Sequence, residues 1–134
     1  MIPNSRRKDG GFTIIELMIV ITIIMILMTI AAGRYEQSVL RAKETALHQD
    51  LFVMRQAIQN YTLDKNAAPQ SLDDLVNAKY MREVPTDPMT REKDWDTETS
   101  DLVLSTDQTT TGISDVHSRS GKSSPFENTP YNTW

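Results

Sequence analysis

Glu16 is the residue whose chemistry stands out first, a single carboxylate in the run GGFTIIELMIVITII at residues 10–24. From Phe12 to Ala32 the chain is apolar apart from this acid and the hydroxyls of Thr13, Thr22 and Thr29. An ionised acid at the middle of a membrane helix costs roughly 2.5–3.5 kcal/mol on insertion scales, so such a group normally has a partner. Glu16 lies one turn from the start of the run, where the positive end of the helix dipole and headgroup water favour a carboxylate. A stronger partner arises if the chain is cut between Gly11 and Phe12. The new ammonium on Phe12 then sits one turn from Glu16, in the same chain or in a neighbouring one. In an effective dielectric near 20, charges ~4 Å apart attract by roughly 4 kcal/mol before desolvation is subtracted. Pairing with a neighbour would set the axial register of an assembly.

The apolar stretch that must position this acid is about 21 residues long, which at ~1.5 Å rise per residue matches a ~30 Å hydrocarbon core. Arg6, Arg7 and Lys8 precede it, followed by Gly10 and Gly11. Basic residues belong on the cytoplasmic side, so the amino terminus is expected to begin inside. A secretory signal places its small-residue cleavage site after a shorter apolar region, whereas here the small residues come first. Cleavage at Gly11-Phe12 would therefore leave the apolar segment on the mature chain. It would also remove three basic side chains and one acidic one, shifting the formal charge from −4 to −6 and leaving an acidic head.

On the residues RRKDGGFTIIELMIVITII the chain resembles the type IV pilin and type II secretion pseudopilin superfamily. Its hallmark is a short basic leader, a glycine, then phenylalanine and a glutamate four residues on. The resemblance implies that a membrane prepilin peptidase cuts after Gly11 and that the new amino group of Phe12 is methylated. It implies too that Glu16 assists docking of subunits into a helical filament. The later string YTLDKNAAPQSLDDLVNAKYMREVPTDP, with the turn Pro85-Thr86-Asp87-Pro88, resembles the major, G-type pseudopilins. The ending PYNTW fits the same group, and the absence of cysteine agrees, because many type IVa pilins close a carboxy-terminal loop with a disulfide.

Residues 34–66 continue as a helix of different character. Leu40, Leu47, Leu51, Met54, Ile58 and Tyr61 recur at spacings of three, four and seven, the stripe of an amphipathic helix that wants a facing surface. Between them, Arg41, Lys43, Glu44, Gln49, Asp50, Arg55 and Gln56 read as a solvated or subunit-facing side. Gly33 sits at the junction where many relatives have proline, and a helix-interior glycine costs up to ~1 kcal/mol, so a bend or melted turn is expected there in an assembled filament. Asn66-Ala67-Ala68-Pro69 stops the helix. Ser71 with Asp74 three residues on predicts a capped second helix over roughly Ser71 to Lys79. Leu102 to Leu104 and Ile113 to Val116 have strand-like composition, and Trp95 is a candidate to open another strand. The tail is a loop by composition, with Phe126, Tyr131 and Trp134 as anchors. The expected fold is α+β: leader 1–11, membrane or filament-core helix 12–33, amphipathic half of the spine 34–66, and a small head 67–134 with an antiparallel sheet.

The resemblance also implies calcium in the late loop of the head, held through aspartates and backbone carbonyls. Here the candidate ligands are Asp115, Glu127 and Asn128, a set so poor in carboxylates that binding would be weak at best. The cluster Asp94, Asp96 and Glu98 lacks the glycine and spacing of an EF-hand loop and reads as a solvated turn. His48 and His117 are far apart in sequence, give no zinc motif or triad, and are read as surface residues. Met18, Met25 and Met28 are packing residues. No serine lies in a G-x-S-x-G context, no phosphate loop is present, and no other cofactor or active site is expected. Basic residues are not spread over a surface, so nucleic acid is not an expected partner. The expected function is that of a structural subunit of a type II secretion pseudopilus. Its implied partners are copies of itself, prepilin peptidase, minor pseudopilins and an inner-membrane assembly platform, with the head in the periplasm. The alternatives are a subunit of an extracellular type IV pilus and, in another class, a single-pass anchored binding domain that forms no filament.

Overall fold

A computed structural model describes residues 11–105 and 108–134, with the side chains at 104, 105 and 108 also outside the description. The leader residues 1–10 lie outside it as well. In chain order the elements are α1 (Ile14–Lys65), α2 (Leu72–Asn77), β1 (Asp96–Ser105), β2 (Gln108–His117) and a short 3-10 helix at Tyr131–Thr133. The chain divides into two compact units, one ending at Val39 and the other running from Leu40 to Trp134.

In the first unit the helix starts where Thr13 caps it. The Glu16 amide donates to the Thr13 carbonyl at 3.1 Å and to its hydroxyl at 3.3 Å, satisfying one of the orphan donors of the first turn. The other two hydroxyls of the apolar run are satisfied within the helix, Thr22 donating to the Met18 carbonyl and Thr29 to the Met25 carbonyl. The run therefore presents no unsatisfied hydroxyl to a lipid phase. Large apolar side chains from Ile14 to Ile30 are exposed all around the helix. Gly33 is helical, and a side chain there would meet nothing.

The second unit is built on the stripe. Leu47, Leu51, Met54, Ala57 and Ile58 pack with Leu75 of α2, with Val84 and Trp95, with Ile113 and Val116 of β2, and with Tyr131. Leu40, expected at the head of the stripe, is only half-buried and stands outside this core. Asn66, with φ 50°, ends α1 in the left-handed region that asparagine tolerates. α2 has the expected capping box, Ser71 accepting from the Asp74 amide while the Asp74 carboxylate accepts from the Ser71 amide. It is shorter than expected and ends at Asn77, because Lys79 takes φ 64° and cannot continue a helix.

Among the described residues the sheet is one antiparallel pair, longer than the apolar triplets in the sequence suggest, with register shifts at Glu98/Thr99 and Val103/Ser105. Threonines and serines extend the strands, since a face turned to water does not need apolar residues. Trp95 precedes β1 instead of opening a separate strand. Its ring is buried and its indole N–H donates to the Pro85 carbonyl at 2.8 Å. The linker after α1 lies along β2. The Ile113 amide donates to the Pro69 carbonyl at 2.8 Å, the Ala68 amide to the Thr110 hydroxyl at 3.0 Å, and the Gln70 side-chain amide to the Thr111 carbonyl at 2.7 Å. Gly112 permits this approach, because a Cβ there would lie 2.6 Å from the Ala68 Cβ and 2.7 Å from the Pro69 oxygen.

Candidate functional site

Gly11, Phe12 and Thr13 precede the helix, and Phe12 is 79% exposed. Glu16 is exposed in the first turn of α1 and forms no salt bridge among the described residues. A Cβ at Gly11 would meet nothing, so nothing in the described structure requires glycine at this position. The geometry is thus a carboxylate on a bare apolar helix, one turn beyond an accessible peptide bond between two non-helical residues. It can pair with a cation only if one is brought to it.

The head places polar chemistry where the sequence reading put solvent. Glu44, expected on the solvated side, is only 6% exposed and accepts a 2.7 Å hydrogen bond from the Tyr131 hydroxyl. It lies three residues before Leu47, in phase with the stripe, which is the signal that could have found it. Burial, then the hydrogen bond to Glu44 and its charge, push the Tyr131 phenol up to about 12, with Ser124 opposing in part. Tyr131 therefore stays a donor at every physiological pH. Arg55, also expected on the solvated side, reaches across to the hairpin and the tail. Its side chain is half-exposed; its Nε donates to Asp115 Oδ1 at 2.5 Å, and its Nη2 donates to the Val116 carbonyl at 3.0 Å and to a main-chain oxygen of Trp134 at 2.9 Å. Burial alone would raise the Asp115 carboxyl, but the Arg55 hydrogen bond, the Val116 amide and the charges of Arg55 and His117 together hold it below the ordinary carboxylate range.

Asp87 of the Pro-Thr-Asp-Pro turn is fully buried. One of its oxygens accepts from the Met89 amide at 2.7 Å and the other from the Ser118 hydroxyl. The tail loop closes on Ser124, 1% exposed, whose hydroxyl accepts from the amides of Phe126 and Glu127, each at 3.1 Å. Of the expected anchors, Tyr131 is buried and Trp134 stacks on His48 with ring centroids 4.1 Å apart. Phe126 stays partly exposed under the Arg41 guanidinium.

Each of the three calcium candidates has a contact of its own in the head. Asp115 is bound to Arg55, the Glu127 carboxylate is 3.7 Å from His48, and Asn128 occupies a φ of 54° with its amide donating to the Ser124 carbonyl. A different set is close together. Cross-strand pairing sets Asp96 opposite His117 and Glu98 opposite Asp115. One ligand atom each from Glu98, Asp115 and His117 then lies within 4.8 Å of the others. His117 is partly buried rather than a free surface residue. Its Nδ1 is 2.6 Å from a main-chain oxygen of Trp134 and 3.5 Å from Arg55 Nη2, and its Nε2 lies 3.7 Å from the Asp115 carboxylate and 3.8 Å from that of Glu98.

Residues 6–32 match the family described as Prokaryotic N-terminal methylation motif, which spans the apolar segment and Glu16. The chain is 29% identical to the type II secretion system core protein G of Aeromonas hydrophila, over 100 residues that cover 63% of this chain and 70% of the relative. It is 30% identical to the type II secretion system core protein G of Pseudomonas aeruginosa, with the same coverage. No solved structure matches it significantly. With the methylation motif at one end and similarity that extends well beyond it into the head, the chain belongs to the type II secretion system core protein G family, the G-type pseudopilins.

Proposed function

We propose that this chain is a structural subunit of a type II secretion pseudopilus, acting by assembly instead of by catalysis. The observation that supports it most is the apolar half of α1. Its side chains from Ile14 to Ile30 are exposed on every face, and one helix is long and apolar enough to cross a membrane. Such a surface is stable only in lipid or against other apolar helices. A subunit that waits in a membrane and then packs into a filament meets both conditions in turn. In this reading prepilin peptidase cuts at Gly11-Phe12, the anchor sits in the inner membrane, and the head lies in the periplasm. Glu16 then pairs with the Phe12 ammonium of a neighbouring copy. Minor pseudopilins and an assembly platform complete the set of partners, and Gly33 supplies the weak point at which the helix yields on packing.

The test is the intact mass and amino-terminal sequence of the chain recovered from native membranes, with filament yield measured for Glu16→Ala. The expected result is a chain that begins at Phe12 with one added methyl group, and a variant that inserts normally but assembles poorly. A chain that retains residues 1–11, or a variant with undiminished filament yield, would overturn the pairing.

A further inference from the structure

Calcium takes six to eight oxygen ligands, mostly carboxylates and backbone carbonyls, at about 2.3–2.6 Å. Between Gly112 and Trp134 this chain has only two acids, Asp115 and Glu127. The Glu127 carboxylate lies 3.7 Å from His48, and the Ser124 hydroxyl accepts from the amides of Phe126 and Glu127. Asp115 is already in contact with a cation. Oxygens of the kind calcium gathers do converge elsewhere. Asp115 Oδ1, the Val116 carbonyl and a main-chain oxygen of Trp134 all accept from the single guanidinium of Arg55.

We infer that Arg55 is the resident cation of the head, its guanidinium collecting the carboxylate and carbonyl oxygens that fasten the C-terminal segment to α1, so that this segment is held without a divalent ion. The inference concerns the fold of the head and does not depend on filament assembly. Arg55 suits the role because its planar fork carries five donors and never loses its charge, so one side chain can serve three oxygens on two different segments. It is covalently part of α1, so a chelator cannot remove it. An ion that bound only the folded head would raise its melting temperature as its concentration rose.

Thermal unfolding of the full chain in detergent micelles, followed by near-UV circular dichroism of Trp95 and Trp134, tests this in excess EDTA and in excess calcium. The wild-type melting temperature is expected to agree between the two conditions to within about 1 °C. Arg55→Gln is expected to melt lower by roughly 5 °C or more in both, with Arg55→Lys between, because an ammonium keeps the charge but loses the fork. A wild-type head that melts several degrees lower in EDTA than in calcium would overturn the inference. So would an Arg55→Gln variant that melts like wild type. Should Arg55→Gln fail to fold, Arg55→Lys and the wild-type comparison still decide the matter.

Discussion

Replacing Tyr131 with phenylalanine deletes one hydroxyl from a ring that is 2% exposed and leaves the packing of that ring in place. The lost hydroxyl is the donor to Glu44 Oε1 at 2.7 Å, and Glu44 is itself buried within the stripe of α1. A hydrogen bond to a charged group contributes roughly 1.5–3 kcal/mol, and the carboxylate left behind has lost its protein donor without regaining water. The expected loss is therefore about 2–3 kcal/mol, at the upper end of that range. For a head of this size, each kilocalorie shifts the melting temperature by roughly 4–8 °C, so Tyr131→Phe should lower it by roughly 10–20 °C. The assay is thermal and urea unfolding of the full chain in detergent. A double variant separates the bond from the packing. Because removing both partners strands neither, Tyr131→Phe with Glu44→Leu should recover much of what the single change loses. A single variant within about 0.5 kcal/mol of wild type, or a double variant no better than the single, would refute the reasoning.

Gly112→Ala should destabilise the head by about 1–3 kcal/mol through overpacking. The Pro69 carbonyl it would strike is held by the Ile113 amide and cannot simply withdraw, so an unchanged urea midpoint would contradict the contact. Asp50 is shifted upward, first by burial and then by the nearby charge of Asp87. Its ionised form therefore weakens the fold above its folded pKa and costs nothing below the unfolded value of 3.8. Asp50→Asn should accordingly raise the melting temperature at pH 7 and lose that advantage toward pH 3, and equal melting at pH 7 would count against it. For Asp115 the sign is opposite. Its folded pKa is depressed, so the stability it contributes is present above 3.8 and is lost as pH falls through the lower folded value. Asp115→Asn should therefore destabilise at pH 7 and matter little in strong acid, as acid titration of the unfolding midpoint would show.

Much of the spine was legible because its signals are periodic and local. Leu47, Leu51, Met54 and Ile58 could be placed in the core from spacing alone, and Ser71 with Asp74 marked a cap that bonds as expected. Glu16 could be singled out because a lone carboxylate in a bilayer-length apolar run is costly wherever the chain folds. The fasteners of the head were not legible. Glu44 and Arg55 are charged residues on an amphipathic helix, and charge ordinarily marks the side that faces water. Only the arrival of Tyr131, 87 residues away, stabilises Glu44 in the core, and only Asp115, 60 residues away, draws the half-exposed Arg55 onto the hairpin. The strands were underestimated for a related reason, since a hairpin with one wet face carries little apolar pattern in its Thr-rich stretches.

The division follows the range of the forces involved. The sequence alone determined the membrane-length helix, the stripe, the cap and the stop at Asn66, because each depends on neighbours within a few turns of the chain. Tertiary structure alone decided which charges are buried, which turn receives Asp87 and Ser118, and why position 112 must be glycine. Those outcomes depend on which distant segments meet, and a buried polar group is stable only where its partner has been brought to it.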